Sequence, residues 1–248
     1  MFTATRWEFN AIRAAYHSST VQTVRGCRYS ISRQDDVLIG LFQVGMGMER
    51  ALKGGHTAFT IEPWNVIIST GFAGALAPAQ IGDMLIGTLV IDGSTADSTS
   101  SPTEVLACDP FFQDRAQHMV HNMNGHGLVG PIVTVGRVVV TSQEKKALGR
   151  QTMAVGVDME SAELARLAKS RNIPFVVIRS ISDLMEENLP LDFNVFQGTK
   201  GWVHGIVSVL RRPSRLIALC RFWKQTNRAA LQLTRFFEKY LIGLSIGP

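Results

Sequence analysis

AVGVDMESAELARLAKSRNIPFVVIRSISD, Ala154–Asp183, reads as a strand, a helix, a turn and a second strand. Val155, Val157 and Met159 alternate with smaller or acidic residues. From Ser161 to Ser170 the apolar residues Ala162, Leu164, Ala165, Leu167 and Ala168 recur at helical spacing. Asn172 and Pro174 end that helix, and Phe175–Ile178 is a short run rich in β-branched residues, as in a buried parallel strand. Glu160 lies where the first strand passes into the helix, and Asp183 just past the carboxyl end of the second strand. In open α/β sheets that edge is where ligands bind. A buried carboxylate costs too much to keep without a partner or a task. The two acids are therefore candidates for chemistry at one edge of an α/β sheet.

Composition sets the bounds around this stretch. With 248 residues, 46% hydrophobic and 18% charged, the chain suits one α/β domain with a sizeable core. No apolar run reaches the ~18 residues of a membrane span, and the first residues, MFTATRWEF, lack the apolar core of a signal peptide. Cys27, Cys108 and Cys220 stand in no metal spacing, which points to a reducing cytoplasm without a disulfide framework. The net charge is +5, with most of the excess in the last forty residues.

Upstream, Phe2–Thr5 reads as the end of a strand so short that the true start is expected to lie further upstream. Trp7–Tyr16 reads as a helix with Glu8 in its first turn, where an acid stabilises the helix dipole whether or not it does more. Residues 27–44 suggest a hairpin or two adjacent strands leading through Gly45-Met46-Gly47 into a helix from Glu49 to Phe59. Glycines between a strand and a helix can bring N–H groups to an anion or a sugar, or merely make a tight turn. Asn65–Ser69 reads as a buried strand ending in a small-residue loop, Thr70–Ala75, and strands follow at Met84–Ile86 and Leu89–Ile91. Residues 92–104 read as a surface loop, Phe111–Met123 as a helix, and Ile132–Val140 as another strand. Thr141-Ser-Gln-Glu144 has the form of a capping box. His118, His121 and His126 have no acid or Cys to complete a metal set, so no metal is expected. Leu184–Asp192 reads as an acidic loop and Phe193–Leu210 as a helix broken by Gly198 and Gly201.

From Pro213 the chain reads as a long amphipathic helix. Arg221, Lys224, Arg228, Arg235 and Lys239 fall on one face; Leu219, Trp223, Ala230, Leu233, Phe237 and Leu241 fall on the other. Residues 1–210 are thus expected to form the catalytic domain and 211–248 a basic extension. A basic face opposite an aromatic one fits a helix lying on an anionic membrane, peripheral to its inner surface, through residues 213–242. The same pattern fits a helix packed on the protein's own core. The single basic stripe belongs to no recognised nucleic-acid module, so no nucleic-acid partner is expected.

The elements TGFAGAL, Ala77-Pro78 and IGD, then VGVDMESAELA, then IPFVVIRSISD together resemble the nucleoside phosphorylase/nucleosidase superfamily. Within it the chain is most similar to 5′-methylthioadenosine/S-adenosylhomocysteine nucleosidases, over a match running to about Leu210. The resemblance implies a three-layer α/β/α sandwich around a mixed, partly closed sheet, assembled as a homo-oligomer, a dimer or larger, and working without a cofactor. It places Asp183 at N7 of the leaving purine as general acid, a role typically worth ~10²–10⁴-fold. For that role burial or a neighbouring acid should raise its pKa. It places Glu160 on the ribose hydroxyls, Met159 on the sugar face, Ser182 as support for Asp183, and Val138, Val139 and Val140 along the base. Gly71, Phe72 and Gly45 belong to the glycine-bearing segments near the ligand. Each acid alone has a plain reading as a helix-start or strand-end residue; the shared motif favours catalysis for both.

Phosphorylases of this superfamily carry an Arg ahead of the small-residue segment, where this chain has Ile67-Ile-Ser69, and another near the first helix, where it has Glu8. A carboxylate there repels phosphate and can take a proton from water, which favours hydrolysis. Arg6, Arg50 and Arg137 keep phosphorolysis open. Phe72 replaces the Ser usual in the nucleosidases and implies a more apolar sugar or 5′ environment, while Val139 is smaller than their usual aromatic. Hopanoid-associated phosphorylases, which release adenine from a lipid-linked adenosine, resemble this chain too, and such a substrate would suit the basic tail. A nucleoside-binding protein without turnover is the remaining alternative.

Overall fold

The computed structural model describes residues 1–16, 20–93, 104–123, 125–190 and 213–245. The helix expected over Phe193–Leu210 lies outside them. In chain order the elements are β1 (Phe2–Thr3), α1 (Arg6–Ala15), β2 (Gln22–Val24), β3 (Cys27–Gln34), β4 (Val37–Gln43) and α2 (Met48–Ala58). There follow β5 (Ile67–Ala75), β6 (Met84–Asp92), β7 (Val105–Ala107), α3 (Pro110–Asn122) and β8 (Gly127–Thr134). Then come α4 (Ser142–Thr152), β9 (Gly156–Asp158), α5 (Ser161–Arg171), β10 (Phe175–Asp183) and α6 (Pro213–Ser245).

The strands form one mixed sheet in the order β10-β6-β8-β9-β5-β1-β4-β3-β2, with β7 on the edge of β6. Because β10 also pairs with β5, the strands β5, β10, β6, β8 and β9 close into a ring. From β5 an open wing runs out through β1, β4, β3 and β2. This is the partly closed α/β/α sandwich that the resemblance implies.

β10 is buried at every residue, and its side chains alternate between two helix layers. Val176 and Ile178 pack with Phe9 and Ile12 of α1, Ala116 and Val120 of α3, and Leu233 and Phe237 of α6. Phe175, Val177 and Ile181 pack with Ala51 and Ala58 of α2 and with Ala162, Leu164 and Leu167 of α5. A strand covered on both faces has no polar positions to alternate, which is why FVVI reads as a continuous apolar run. α1 and α4 each open with a capping box, Thr5 with Glu8 and Thr141 with Glu144.

Several expected boundaries move. Thr70–Ala75 is no loop: Thr70 to Gly74 continue β5 in parallel register with Ile178 to Asp183, so Asp183 is the last residue of its strand rather than just past it. Small side chains belong there because the ring closes tightly. Met84–Asp92 is one strand with a register shift between Gly87 and Val90, and β8 stops at Thr134, leaving Val138–Val140 in a connecting segment.

The C-terminal helix packs on the chain itself. Ala229, Leu233, Phe236, Phe237, Tyr240 and Leu241 are buried, while Arg221, Lys224, Arg228, Arg235 and Lys239 stay in solvent. Thr234 Oγ1 donates to Ala11 O of α1 at 2.8 Å, and Tyr240 OH to Phe112 O of α3 at 3.3 Å. Fully burying one such apolar side chain is worth about 1.5–3 kcal/mol. Much of the apolar surface expected to meet either a bilayer or protein is thus spent on the core, while Trp223, Leu231 and Ile242 stay about half exposed. No described helix is long and apolar enough to cross a membrane.

Candidate active site

A cavity of about 250 Å³ opens at the end of the ring where β10 finishes. The three acids singled out in the sequence meet in its wall: Glu8 from the first turn of α1, Glu160 from the N-cap of α5, and Asp183 from the end of β10. All three are buried.

Glu8 serves two elements at once. Its Oε2 accepts from Thr5 N at 2.5 Å, closing the capping box, and its Oε1 accepts from Phe72 N of β5 at 2.7 Å. Gly71 is not in the cavity wall. It has φ +137°, and a Cβ there would meet Glu8 Oε1 at 2.3 Å, so this glycine is needed for the acid to reach its place. Gly45 also lies outside the wall, with the Arg50 side chain against it. The amide that matters in that turn is Gly47 N–H, which donates to Glu160 Oε1 at 2.8 Å rather than to an open anion site. Met46, between them, does line the cavity.

Behind the wall lies Arg179, fully buried in the middle of β10. Its Nη2 is 2.5 Å from Asp158 Oδ2 and 3.7 Å from Glu160 Oε2, and its Nη1 donates to Phe72 O at 3.1 Å. Ser69 and Ser161 also accept from Nη2, at 3.0 and 3.2 Å. Asp158 is held in turn by Thr134 Oγ1 at 2.7 Å and by Ser161. The sequence reading missed Arg179 and Asp158, although both lie in its opening stretch. The available signal was a lone arginine inside an otherwise apolar strand, a charge that demands a buried partner.

Burial pushes the Glu160 carboxyl up to about 7, with Asp158 and Glu8 adding to the effect. Arg179 and the Gly47 N–H pull the other way without prevailing, since the guanidinium is committed first to Asp158. Arg179 itself stays charged: burial opposes its charge, but Asp158, Glu160 and Glu8 outweigh burial. A carboxyl raised in the folded state binds a proton that the unfolded chain has lost, so stability falls as pH rises between the ordinary 4.5 and about 7. The size is a few kcal/mol at most, at about 1.4 kcal/mol per pH unit. Glu160→Gln should therefore flatten the decline of the thermal midpoint over that window. Superimposable midpoint–pH curves for the two proteins would rule this out.

Asp183 is paired on both oxygens. Lys145 of α4 donates to Oδ2, and Ser182 Oγ donates to Oδ1 at 2.8 Å. Lys145 was not anticipated. Met159, Phe72, Val138 and Val139 line the cavity with Ala73, Gly74 and Val157. Val140 does not; its carbonyl accepts Leu189 N at 2.8 Å, and Leu189 takes a place in the wall. The sequence reading also missed Trp7, Met46 and two α6 residues, Phe222 and Thr226, which complete the lining. Among the described residues no three His, Cys, Asp or Glu side chains gather to hold a metal.

The sequence profile of the Phosphorylase superfamily matches residues 1–200. The fold is similar to that of Helicobacter pylori 5′-methylthioadenosine/S-adenosylhomocysteine nucleosidase with butyl-thio-DADMe-Immucillin-A. That likeness has a TM-score of 0.77 at 16% identity, over 97% of this chain and 95% of that one. The Neisseria meningitidis nucleosidase with methylthio-immucillin-A matches at 0.76 and 19%, over 98% and 97%. Futalosine hydrolase of Helicobacter pylori matches at 0.76 and 16%, over 97% and 95%. Identities this low carry the fold alone.

Proposed function

The chain belongs to the phosphorylase superfamily, and from that premise we propose that it cleaves the N-glycosidic bond of a 5′-substituted adenosine, with water as the nucleophile. The observation that carries this reading is the convergence of Glu8, Glu160 and Asp183 on one cavity from three distant parts of the chain.

Each acid has a distinct task. Asp183 shares the cavity wall with Gly74, Val139 and Leu189, an apolar setting for a base, and delivers the proton that lets adenine leave as a neutral molecule. Glu160, next to Met159, accepts the ribose hydroxyls and favours positive charge on the sugar. It grips best once ionised, so turnover climbs as pH rises through about 7. Glu8 takes the proton of the attacking water. Each of its oxygens accepts one N–H and keeps a further lone pair for that purpose.

Water rather than phosphate is favoured by charge. A phosphate dianion in this cavity would face Glu8 and Glu160, and phosphate sites need cationic or N–H donors. Arg179 lies behind the wall with Nη2 on Asp158, and Arg137, at the rim, is paired with Glu144 at 2.7 Å. Phe72, Trp7, Met46 and Phe222 contribute apolar surface to the cavity lining, which supports an apolar 5′ substituent. A lipid-linked adenosine is the second reading. It rests on that apolar lining and on α6, whose Phe222 lines the cavity while its basic stripe faces solvent.

One experiment separates these. The protein is incubated with methylthioadenosine, S-adenosylhomocysteine and an adenosyl-lipid, with and without phosphate, and the base and sugar products are identified. Adenine and a free sugar should appear without phosphate, and Glu8→Gln should slow release by about 10²-fold or more. A strict requirement for phosphate, with a sugar 1-phosphate as product, would overturn the hydrolytic reading.

A further inference from the structure

Lys145 is the one buried residue of α4, an 11-residue helix, and its side chain is 0% exposed. Its Nζ donates to Asp183 Oδ2, to Leu184 O at 2.9 Å and to Glu187 O at 3.2 Å. Three acceptors match the three N–H groups of an ammonium, and one of them is the Asp183 carboxylate. The geometry is that of an ion pair, the Lys145 ammonium on the Asp183 carboxylate. Sequestering two charges this deeply is poor value for stability alone, since well-packed apolar residues often do as well. The pairing also bears directly on the reaction, because a carboxylate has no proton to give.

We propose that Lys145 is the positioning residue and proton reservoir for departure of the base, acting through Asp183. This rests on the reading of Asp183 as the acid of N-glycosidic cleavage. As the C1′–N9 bond breaks, its electron pair moves into the purine ring. Lys145 passes a proton to the Asp183 carboxylate, and Asp183 passes one to N7. The base leaves neutral, water bonds to C1′, and the proton that water sheds goes to Glu8. Once the products have left, solvent takes the proton from Glu8 and returns one to Asp183 in the cavity wall, which relays it to the Lys145 amine, so charge and atoms balance over the cycle. The bonds to Leu184 O and Glu187 O place the ammonium, and the segment that follows carries Leu189 into the cavity wall.

The other charged groups around the pair are Glu187, held by Arg221 and Gln225 of α6, and Glu144, held by Arg137. Glu8, Glu160 and Arg179 lie across the cavity or behind its wall. None offers a second cation to Asp183 among the described contacts. Without Lys145, the proton must sit on Asp183 alone.

The test is kcat/KM for base release between about pH 5 and 10, for the wild type, Lys145→Met and Lys145→Arg. The wild type should keep its activity to about pH 9. Lys145→Met should lose activity from a pH at least two units lower, its kcat/KM relative to the wild type falling at least about 10-fold between pH 6 and 8. Lys145→Arg should recover part of the wild-type alkaline limb. A Met variant slowed by the same factor at every pH would make Lys145 structural and overturn the proposal. Should that variant fail to fold, the wild-type profile decides: an alkaline limb below about pH 8 overturns the proposal, and activity sustained beyond it supports it. Absence of base release by the wild type at any pH would instead overturn the functional reading on which the proposal rests.

Discussion

Asp183→Asn lowers base release by at least about 10²-fold, because an amide cannot carry the proton to N7. The structure adds a second effect that the sequence did not suggest. Among the described residues Asp183 is the sole carboxylate bonded to Lys145, whose side chain is fully buried. Removing one partner of a buried pair leaves an uncompensated charge, typically costing 3–5 kcal/mol, or about that much here. Asp183→Asn should therefore bind nucleoside poorly or melt early, and its activity alone would not separate chemistry from folding. The double variant Asp183→Asn with Lys145→Gln removes the stranded cation. It should recover much of the thermal midpoint and none of the activity. An active double variant, or an Asp183→Asn protein with wild-type turnover, would remove Asp183 from the mechanism.

Arg179→Met should be the most destabilising single change at the site. It strips the cation from Asp158, which is buried with Arg179, and from the nearby Glu160. The expected loss is about 3–5 kcal/mol, measured as a shift of the denaturant midpoint. Arg179→Lys should be only a partial rescue, since an ammonium cannot span Asp158, two serine hydroxyls and the Phe72 carbonyl from one planar group. Base release should fall with Arg179→Met even below its melting temperature, because Glu160 loses its nearby positive charge. An unfolding midpoint equal to that of the wild type would show that Asp158 and Glu160 find other partners.

The helix α6 illustrates why some readings of the sequence stay open until the fold is known. Its amphipathic pattern specifies that one face must be covered, but the same pattern would suit lipid, a partner or the chain's own core. Leu233, Phe236 and Phe237 are covered by α1, α3 and β10. The helix also brings Phe222 and Thr226 to the cavity, so cutting the chain near residue 210 would remove part of the site as well as part of the core. The small-residue segment Thr70–Ala75 misled in the opposite direction. Glycine and alanine usually mark a loop, yet here they continue a strand because β5 pairs with β10 and β9 inside a closed ring.

The sequence by itself determined what depends on neighbours along the chain. The alternation and helical spacing of Ala154–Asp183 specify a strand, a helix and a buried strand, and those elements place Glu160 and Asp183 at their junctions. Capping at Thr5–Glu8 and Thr141–Glu144 is equally local, each box closing between residues three apart. The tertiary structure decided which charges meet. Lys145 and Asp183 are 38 residues apart, Gly47 and Glu160 are 113, and Ser69 and Arg179 are 110. Periodicity reports which face of an element is apolar, and carries no information on which distant side chain will stand opposite. That depends on ring closure and helix docking, which bring Glu8 onto β5 and Lys145 under Asp183, and so turn three separate acids into one site.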